Sequence, residues 1–141
     1  DYSVIEKKYK YDLSQADYEA LLKIVQAEAG TEDEKGKMLV AGVVLNRVKN
    51  RSFPDTVTEV VMQNKNGVYQ FSPVGAGTYQ TIKVTQSTID AVERVLMGED
   101  VSEGALYFVS RKSANPEKVK WFDTRLTKLF THGGHEFFTT R

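Results

Sequence analysis

The sequence has 141 residues, of which 40% are hydrophobic and 27% are charged, a composition typical of a single soluble globular domain. Lysine plus arginine and aspartate plus glutamate number 19 each, so the formal net charge of zero argues against a general nucleic-acid-binding protein. The absence of cysteine excludes disulfide frameworks, thiolate metal sites and cysteine nucleophiles. No apolar run has the length of a membrane helix. We expect one domain that inserts in no membrane and acts as a monomer.

The chain begins with a polar segment and continues into a clear helix. Residues 1–12 show no periodicity and predict an N-terminal arm or the end of a linker, followed by the main domain over residues 13–141. Ser14 and Asp17 have the spacing of a capping box at a helix start. Gly30 is predicted to end this helix. Its apolar face has helical spacing and consists of Tyr18, Leu21, Leu22, Val25 and Ala29.

Three further helices are predicted along the chain. Thr31 and Glu34 repeat the capping-box spacing and predict a helix to about Asn50. Its middle, residues 38–45, is apolar on every side, which is typical of a helix enclosed by its neighbours. A short helix is predicted over residues 56–63 and another over residues 85–97, ending at Gly98.

The rest of the chain is less regular. Residues 64–83 predict a long loop that carries aromatic side chains. Strand composition marks residues 105–109 and, more weakly, residues 119–122 and 136–139, while residues 124–130 predict a short helical piece. The predicted class is therefore α+β, mainly helical, with a small antiparallel sheet.

Glu28 is a candidate general acid. It lies at the edge of the apolar face of the first helix, so packing of that helix would desolvate its carboxyl group and raise its pKa. A carboxyl group that stays protonated near neutral pH can protonate a glycosidic oxygen. The alternative is a solvated residue at a helix end. Glu32, four residues further on, is placed to support Glu28 or to share its proton, and it is also a candidate substrate-binding residue.

Other candidate binding residues suit a carbohydrate. Gln70, Phe71 and Tyr79 offer amide and aromatic groups to sugar rings, although Phe71 also suits an anchor between loop and core. Trp121 is the only tryptophan and suits either stacking on a sugar or the core. Asn46 suits either substrate contact or a structural hydrogen bond.

Two further patterns have a structural alternative. Arg47 follows the apolar middle of the second helix and suits either substrate contact or a surface ion pair. His132 and His135 flank two glycines next to Glu136 and raise the possibility of zinc, but they lack the spacing of an established metal motif. A turn into the last strand explains them better, so we expect no metal and no cofactor. There is no nucleophile elbow, phosphate-binding loop or dinucleotide fingerprint.

An ordered set of motifs runs from about Leu21 to Phe138. It comprises Ile24-Val-Gln-Ala-Glu28-Ala-Gly-Thr-Glu32, Gly36, Val40-Ala-Gly-Val-Val-Leu-Asn46-Arg47-Val48, Ser52-Phe53-Pro54, Gly104-Ala-Leu-Tyr107-Phe108, Trp121 and Gly134-His135-Glu-Phe137-Phe138. This set resembles the SleB-type cell wall hydrolases, the family of the spore cortex-lytic enzymes. The first motif departs from the family pattern Gly-Glu-Ala-Arg-Gly-Glu, because it lacks the arginine. The loop over residues 64–83 also diverges.

The resemblance implies a lysozyme-like domain outside the cytoplasm that binds peptidoglycan. It implies cleavage between N-acetylmuramic acid and N-acetylglucosamine as a lytic transglycosylase, with Glu28 as the single acid and base and with Tyr107 and Trp121 among the substrate-binding residues. It leaves open whether the substrate is spore cortex or vegetative wall. Two alternatives remain: a zinc-dependent N-acetylmuramoyl-L-alanine amidase and a non-catalytic murein-binding module.

Overall fold

A computed structural model describes residues 9–141 of the chain. Its helices are α1 (Gln15–Ala29), α2 (Glu34–Val48), α3 (Val57–Val61), α4 (Ser72–Ala76), α5 (Thr78–Thr81), α6 (Gln86–Leu96) and α7 (Pro116–Arg125). Its strands are β1 (Asn64–Lys65), β2 (Val68–Tyr69), β3 (Tyr107–Val109), β4 (Leu126–His132) and β5 (His135–Thr140). The predicted class, mainly helical with a small antiparallel sheet, is confirmed.

Helix α1 begins and ends where the sequence predicts. The hydroxyl of Ser14 accepts a hydrogen bond from the Asp17 N–H at 3.1 Å, and the helix ends at Gly30. The Asp17 side chain, however, accepts hydrogen bonds from the backbone N–H and the hydroxyl of Thr58, at 3.0 and 2.6 Å. The carboxylate that was expected to complete the cap therefore joins α1 to α3 instead.

Helix α2 is enclosed by its neighbours, as predicted, because every residue from Gly36 to Leu45 is buried. The predicted cap at Thr31 is wrong. Asp33 caps the helix by accepting the Gly36 N–H at 2.8 Å, and Glu34 forms an ion pair with Arg94 of α6. Unlike Thr31, Asp33 immediately precedes Glu34, the first residue of the helix, so its short carboxylate reaches the unpaired backbone N–H groups of the first turn.

The main core lies between α1, α2, α3 and α6. Helix α2 packs on α6 and α1, and α3 closes one end against α1 and α2. The fully enclosed side chains of this core include Leu21, Ile24, Val25, Leu39, Val40, Val43, Val44, Val57, Val60 and Val92. Gly98 ends α6 as predicted, with a φ of 113° that only glycine adopts without strain.

The C-terminal part forms an antiparallel sheet in the order β3-β5-β4. Strands β3 and β5 confirm the predictions over residues 105–109 and 136–139. The strand prediction over residues 119–122 is wrong, because they lie within α7. Of the helical piece predicted over residues 124–130, only residues 124–125 are helical, as the end of α7, and the rest lies within β4. Asn115 caps α7 through its side chain and Pro116 occupies the first turn, a helix start that outweighs the strand composition.

The segment over residues 64–83 is more ordered than the predicted loop. It forms the hairpin of β1 and β2, followed by the short helices α4 and α5. Asn66 and Gly67 at the hairpin tip both have positive φ, 54° and 80°, as a tight turn of this kind requires. The aromatic side chains of the segment are thereby held on regular backbone.

Most of the predicted N-terminal arm lies outside the described residues, so the domain boundary remains a prediction. Where the chain is described, the N–H groups of Lys10 and Tyr11 both donate to the Leu96 carbonyl at the end of α6. None of the helices within residues 9–141 is long and apolar enough to cross a membrane.

Candidate active site

An open groove of about 740 Å³ lies between the β1–β2 hairpin and α7. Its aromatic lining residues are Phe53, Tyr69, Tyr107, Trp121 and Phe122. Polar groups come from Ser52, Gln63, Asn66 and Gln70, and the only charged lining residues are Lys65 and Lys118. Rings edged by amide and hydroxyl groups suit the apolar faces and hydroxyl groups of sugars.

Helix α7 forms one wall of the groove. Lys118, Trp121 and Phe122 have the spacing i, i+3 and i+4, which places all three on one helix face. Phe122 is buried and anchors the helix, while the Trp121 side chain is 45% exposed although its ring lies 6.0 Å from that of Tyr107. Of the two roles considered for Trp121, the exposed position favours contact with a ligand over the core.

Glu28 occupies the last turn of α1 and is partly buried. It is not itself among the groove-lining residues, but it is coupled to the groove through Lys118. Burial raises the pKa of Glu28 from 4.5 to about 7, against a smaller lowering by the positive charge of Lys118. A carboxyl group in this state is partly protonated at neutral pH, so it can both donate and accept a proton.

Arg47 lies beneath the groove, where the surface ion pair considered from the sequence is not formed. Only 2% of the residue is exposed, and its Nε donates to the Leu106 carbonyl at 2.7 Å. Its guanidinium carbon lies 4.9–5.1 Å from the ring centres of Phe53, Phe71 and Tyr107. Burial lowers the pKa of Arg47 to about 10, and the guanidinium holds the groove aromatics in place by cation–π contacts.

Glu32 braces the corner between α1 and α2. Its carboxylate accepts the Gly134 N–H of the β4–β5 turn at 3.0 Å, and an added Cβ on Gly133 would collide with the same carboxylate. Beside it, Nε2 of His132 lies 2.8 Å from the Asp33 carboxylate. Glu32 was predicted to support Glu28 or to bind substrate, and the contacts favour support of the loop that follows Glu28.

The remaining predicted site residues lie in three different places. Gln70, like Tyr107 and Trp121, lines the groove. Phe71 is buried beneath it against Arg47 and Phe108, which favours the anchoring role considered for it. Tyr79 is buried on the far side of α1, with Lys23 over its ring, away from the groove.

Asn46 makes structural hydrogen bonds. Its amide group donates to the Ser102 hydroxyl and to the Ala105 carbonyl, each at 2.9 Å. These contacts hold the segment before β3 against α2, where Gly42 also approaches Ser102 closely. The geometry favours the structural role over direct substrate contact.

The histidines do not form a metal site. His135 is buried against the rings of Phe108 and Phe137, and its Nδ1 has no hydrogen-bond partner within the described chain. Burial lowers the pKa of His135, so the imidazole is neutral at pH 7. Within residues 9–141, no three histidine, aspartate or glutamate side chains are grouped as metal ligands.

Sequence reasoning missed several groove residues. The residues missed include Lys118, Phe122, Lys65 and Gln63. A signal for Lys118 was present, because a helix that begins at Pro116 places it on the same face as Trp121. Lys65 and Gln63 carry no such signal, because their position depends on the β1–β2 hairpin folding across the groove.

Comparison with known proteins identifies the family to which this sequence is similar. A family profile described as Cell Wall Hydrolase matches residues 31–138. The chain is 33% identical over 122 residues to a spore cortex-lytic enzyme of Bacillus cereus and 32% identical over 122 residues to one of Oceanobacillus iheyensis. These alignments cover 84% of this chain but only 44% and 41% of the relatives, so the chain spans less than half the length of these proteins.

Solved structures match over nearly the whole domain. The catalytic domain of the germination-specific lytic transglycosylase SleB from Bacillus anthracis superposes with a TM-score of 0.76 at 30% identity, covering 92% of this chain and 98% of that one. The catalytic domain of the Bacillus cereus SleB protein gives the same TM-score at 29% identity, covering 93% and 95%. The lysozyme-like fold implied by the sequence resemblance is thereby supported.

Proposed function

This chain belongs to the cell wall hydrolase family, and we propose that it cleaves the glycan strand of peptidoglycan between N-acetylmuramic acid and N-acetylglucosamine, with Glu28 as general acid and base. The observation that carries the proposal is the burial of Glu28 at the end of α1, which raises its pKa to about 7 while the residue stays within electrostatic reach of Lys118 on the wall of the aromatic groove. We propose that the reaction takes place outside the cytoplasm, in the cell wall or the spore cortex.

In the proposed reaction Glu28 acts twice. Its protonated carboxyl group first donates the proton to the bridging oxygen, the bond from that oxygen to C1 of muramic acid breaks, and N-acetylglucosamine leaves. The carboxylate then removes the proton from the muramic 6-hydroxyl as that oxygen bonds to C1, which restores the protonated Glu28 and leaves a 1,6-anhydro end. No water is consumed and no second carboxylate is required.

Purified peptidoglycan incubated with the wild type, with Glu28→Gln and with Glu32→Gln tests the proposal, each incubation being run with and without EDTA. We expect the wild type and Glu32→Gln to release disaccharide-peptides that are one water lighter than hydrolysis products, regardless of EDTA. Glu28→Gln should release almost none. Free stem peptides that disappear with EDTA would instead indicate a zinc amidase, and release by Glu28→Gln at the wild-type rate would remove Glu28 from the mechanism.

A further inference from the structure

The charged residues that line the groove are both positive. Lys65 and Lys118 line it, and no aspartate or glutamate does. Across residues 9–141, neither lysine has a carboxylate within ion-pair distance, whereas Arg94, Arg111 and Lys128 all do.

Lys118 is exposed to solvent, and its ammonium group lies on the groove wall. Its Nζ lies 6.0 Å from the centre of the buried Phe122 ring, at the wall of the groove. Partial burial lowers its pKa, the charge of Glu28 raises it and the charge of Arg47 lowers it further. The ammonium group therefore lies within electrostatic reach of both residues while it faces the groove.

Arg47 adds a second cation behind the first. A buried charge is costly unless it is paired, yet only aromatic rings and one carbonyl group surround Arg47, and its Nη1 has no partner among the described residues. Lys118 on the groove wall and Arg47 beneath the groove place two positive charges next to the space above Trp121 and Tyr107. Glu28 is coupled to Lys118, but its burial favours the protonated form, so it offsets these charges only in part. An anion bound there would compensate both cations.

We propose that this groove binds the ionised carboxylates of the peptide stems on muramic acid, with Lys118 as the main partner and Lys65 as the second. This inference rests on the proposed function, because the sugar rings of peptidoglycan are themselves uncharged and its stems carry the carboxylates. The aromatic rings contact the glycan, and Lys118 accounts for a preference for strands with charged stems.

The test compares cleavage of native peptidoglycan with peptidoglycan whose carboxylates have been converted to neutral amides. The ratio of kcat/KM between the two polymers is measured for the wild type, Lys118→Met, Lys118→Arg, Lys65→Met and the control Lys112→Met. Lys112 is an exposed lysine that does not line the groove. Since each ratio is taken within one variant, a general loss of activity cancels.

We expect the wild type and Lys112→Met to prefer the native polymer on the order of tenfold, which is typical of a charge-assisted contact. Lys118→Met should bring the ratio close to one, Lys65→Met should lower it by less, and Lys118→Arg should retain it. A wild-type ratio near one, or a ratio unchanged in both methionine variants, would overturn the inference and leave glycan cleavage intact. Cleavage of neither polymer by the wild type would overturn the proposed function itself.

Discussion

The helical core and the groove place their apolar side chains in opposite ways. In the core, Leu21, Leu39 and Val40 are completely enclosed, whereas along the groove Val68 is 75% exposed and Trp121 is 45% exposed. Enclosed side chains stabilise the fold by leaving water, while exposed ones contribute little to stability and remain available to a ligand. Stability and the proposed substrate binding therefore rest largely on separate sets of residues, which substitution can distinguish.

Glu28 lies at the end of a core helix and is coupled to the groove through Lys118, and its replacement should have the largest effect. Glu28→Gln removes the proton donor, so we expect kcat to fall by roughly three orders of magnitude, measured as the rate of muropeptide release. Glu32→Gln is the matched control, because its amide oxygen can still accept the Gly134 N–H, and its activity should stay within about tenfold of the wild type. Equal losses in the two variants would contradict the separate roles assigned to them.

Glu28→Gln should also be more stable than the wild type above neutral pH. The folded pKa of Glu28 is raised from 4.5 to about 7, so the folded protein binds more protons than the unfolded chain between these values. The free energy of unfolding therefore falls as pH rises through this window, by at most about 3 kcal/mol. Glu28→Gln should lack this loss in urea unfolding at pH 4.5, 6 and 7.5. A clearly destabilised variant at pH 7.5 would indicate that the carboxylate has a structural partner.

One substitution in each region tests the comparison directly. Leu39→Ala should lower the free energy of unfolding by about 2–5 kcal/mol through the cavity it leaves, with KM unchanged at a temperature where the protein stays folded. Trp121→Ala should raise KM about tenfold, equivalent to about 1.4 kcal/mol. It should cost less than about 1 kcal/mol in unfolding, since the side chain is already half exposed. Chemical denaturation and steady-state kinetics are measured on both variants. A raised KM in Leu39→Ala, or a large loss of unfolding free energy in Trp121→Ala, would contradict the comparison.

The electrostatic coupling between groove and core predicts a smaller change in pH dependence. If protonated Glu28 is required, kcat/KM should decline above a pH of about 7. The positive charge of Lys118 lowers the pKa of Glu28, so Lys118→Met should move this decline to higher pH while Lys118→Arg leaves it in place. Profiles that coincide for all three proteins would mean that Lys118 does not act on the acid.

The smallest effect is expected at the exposed ion pair between His132 and Asp33. Hydrogen bonds from His132 and the Gly36 N–H lower the pKa of Asp33, but Asp33 lies on the surface, where such pairs contribute at most about 1 kcal/mol. His132→Gln should therefore change the urea midpoint only slightly, with no change in KM. If His132→Gln lowered the free energy of unfolding as much as Leu39→Ala, the β4–β5 turn would contribute more to stability than its exposure suggests.

Local patterns predicted the helical core well. Helices α1 and α6 have periodic apolar faces, the middle of α2 is apolar on every side, and Ser14 and Gly98 mark helix ends. Prediction failed where partners distant in sequence decide the structure. Strand β4 exists because its residues pair with β5, as in the register of Leu126 with Thr140. Tyr79 shows the same limit in the candidate site, since only the packing of α5 on α1 removes it from the groove.

The contact between Glu32 and the β4–β5 turn has a consequence for the order in which parts of the chain fold. Glu32 and Gly134 are 102 residues apart in sequence, and the adjacent pair of Asp33 and His132 is separated by 99. Contacts of such high sequence separation form late in folding, because a long segment must be ordered before its ends meet. During synthesis, helix α1 can therefore form long before the corner that follows Glu28 is fixed. A chain that stalls before the last hairpin would carry the proposed acid without the brace that positions it.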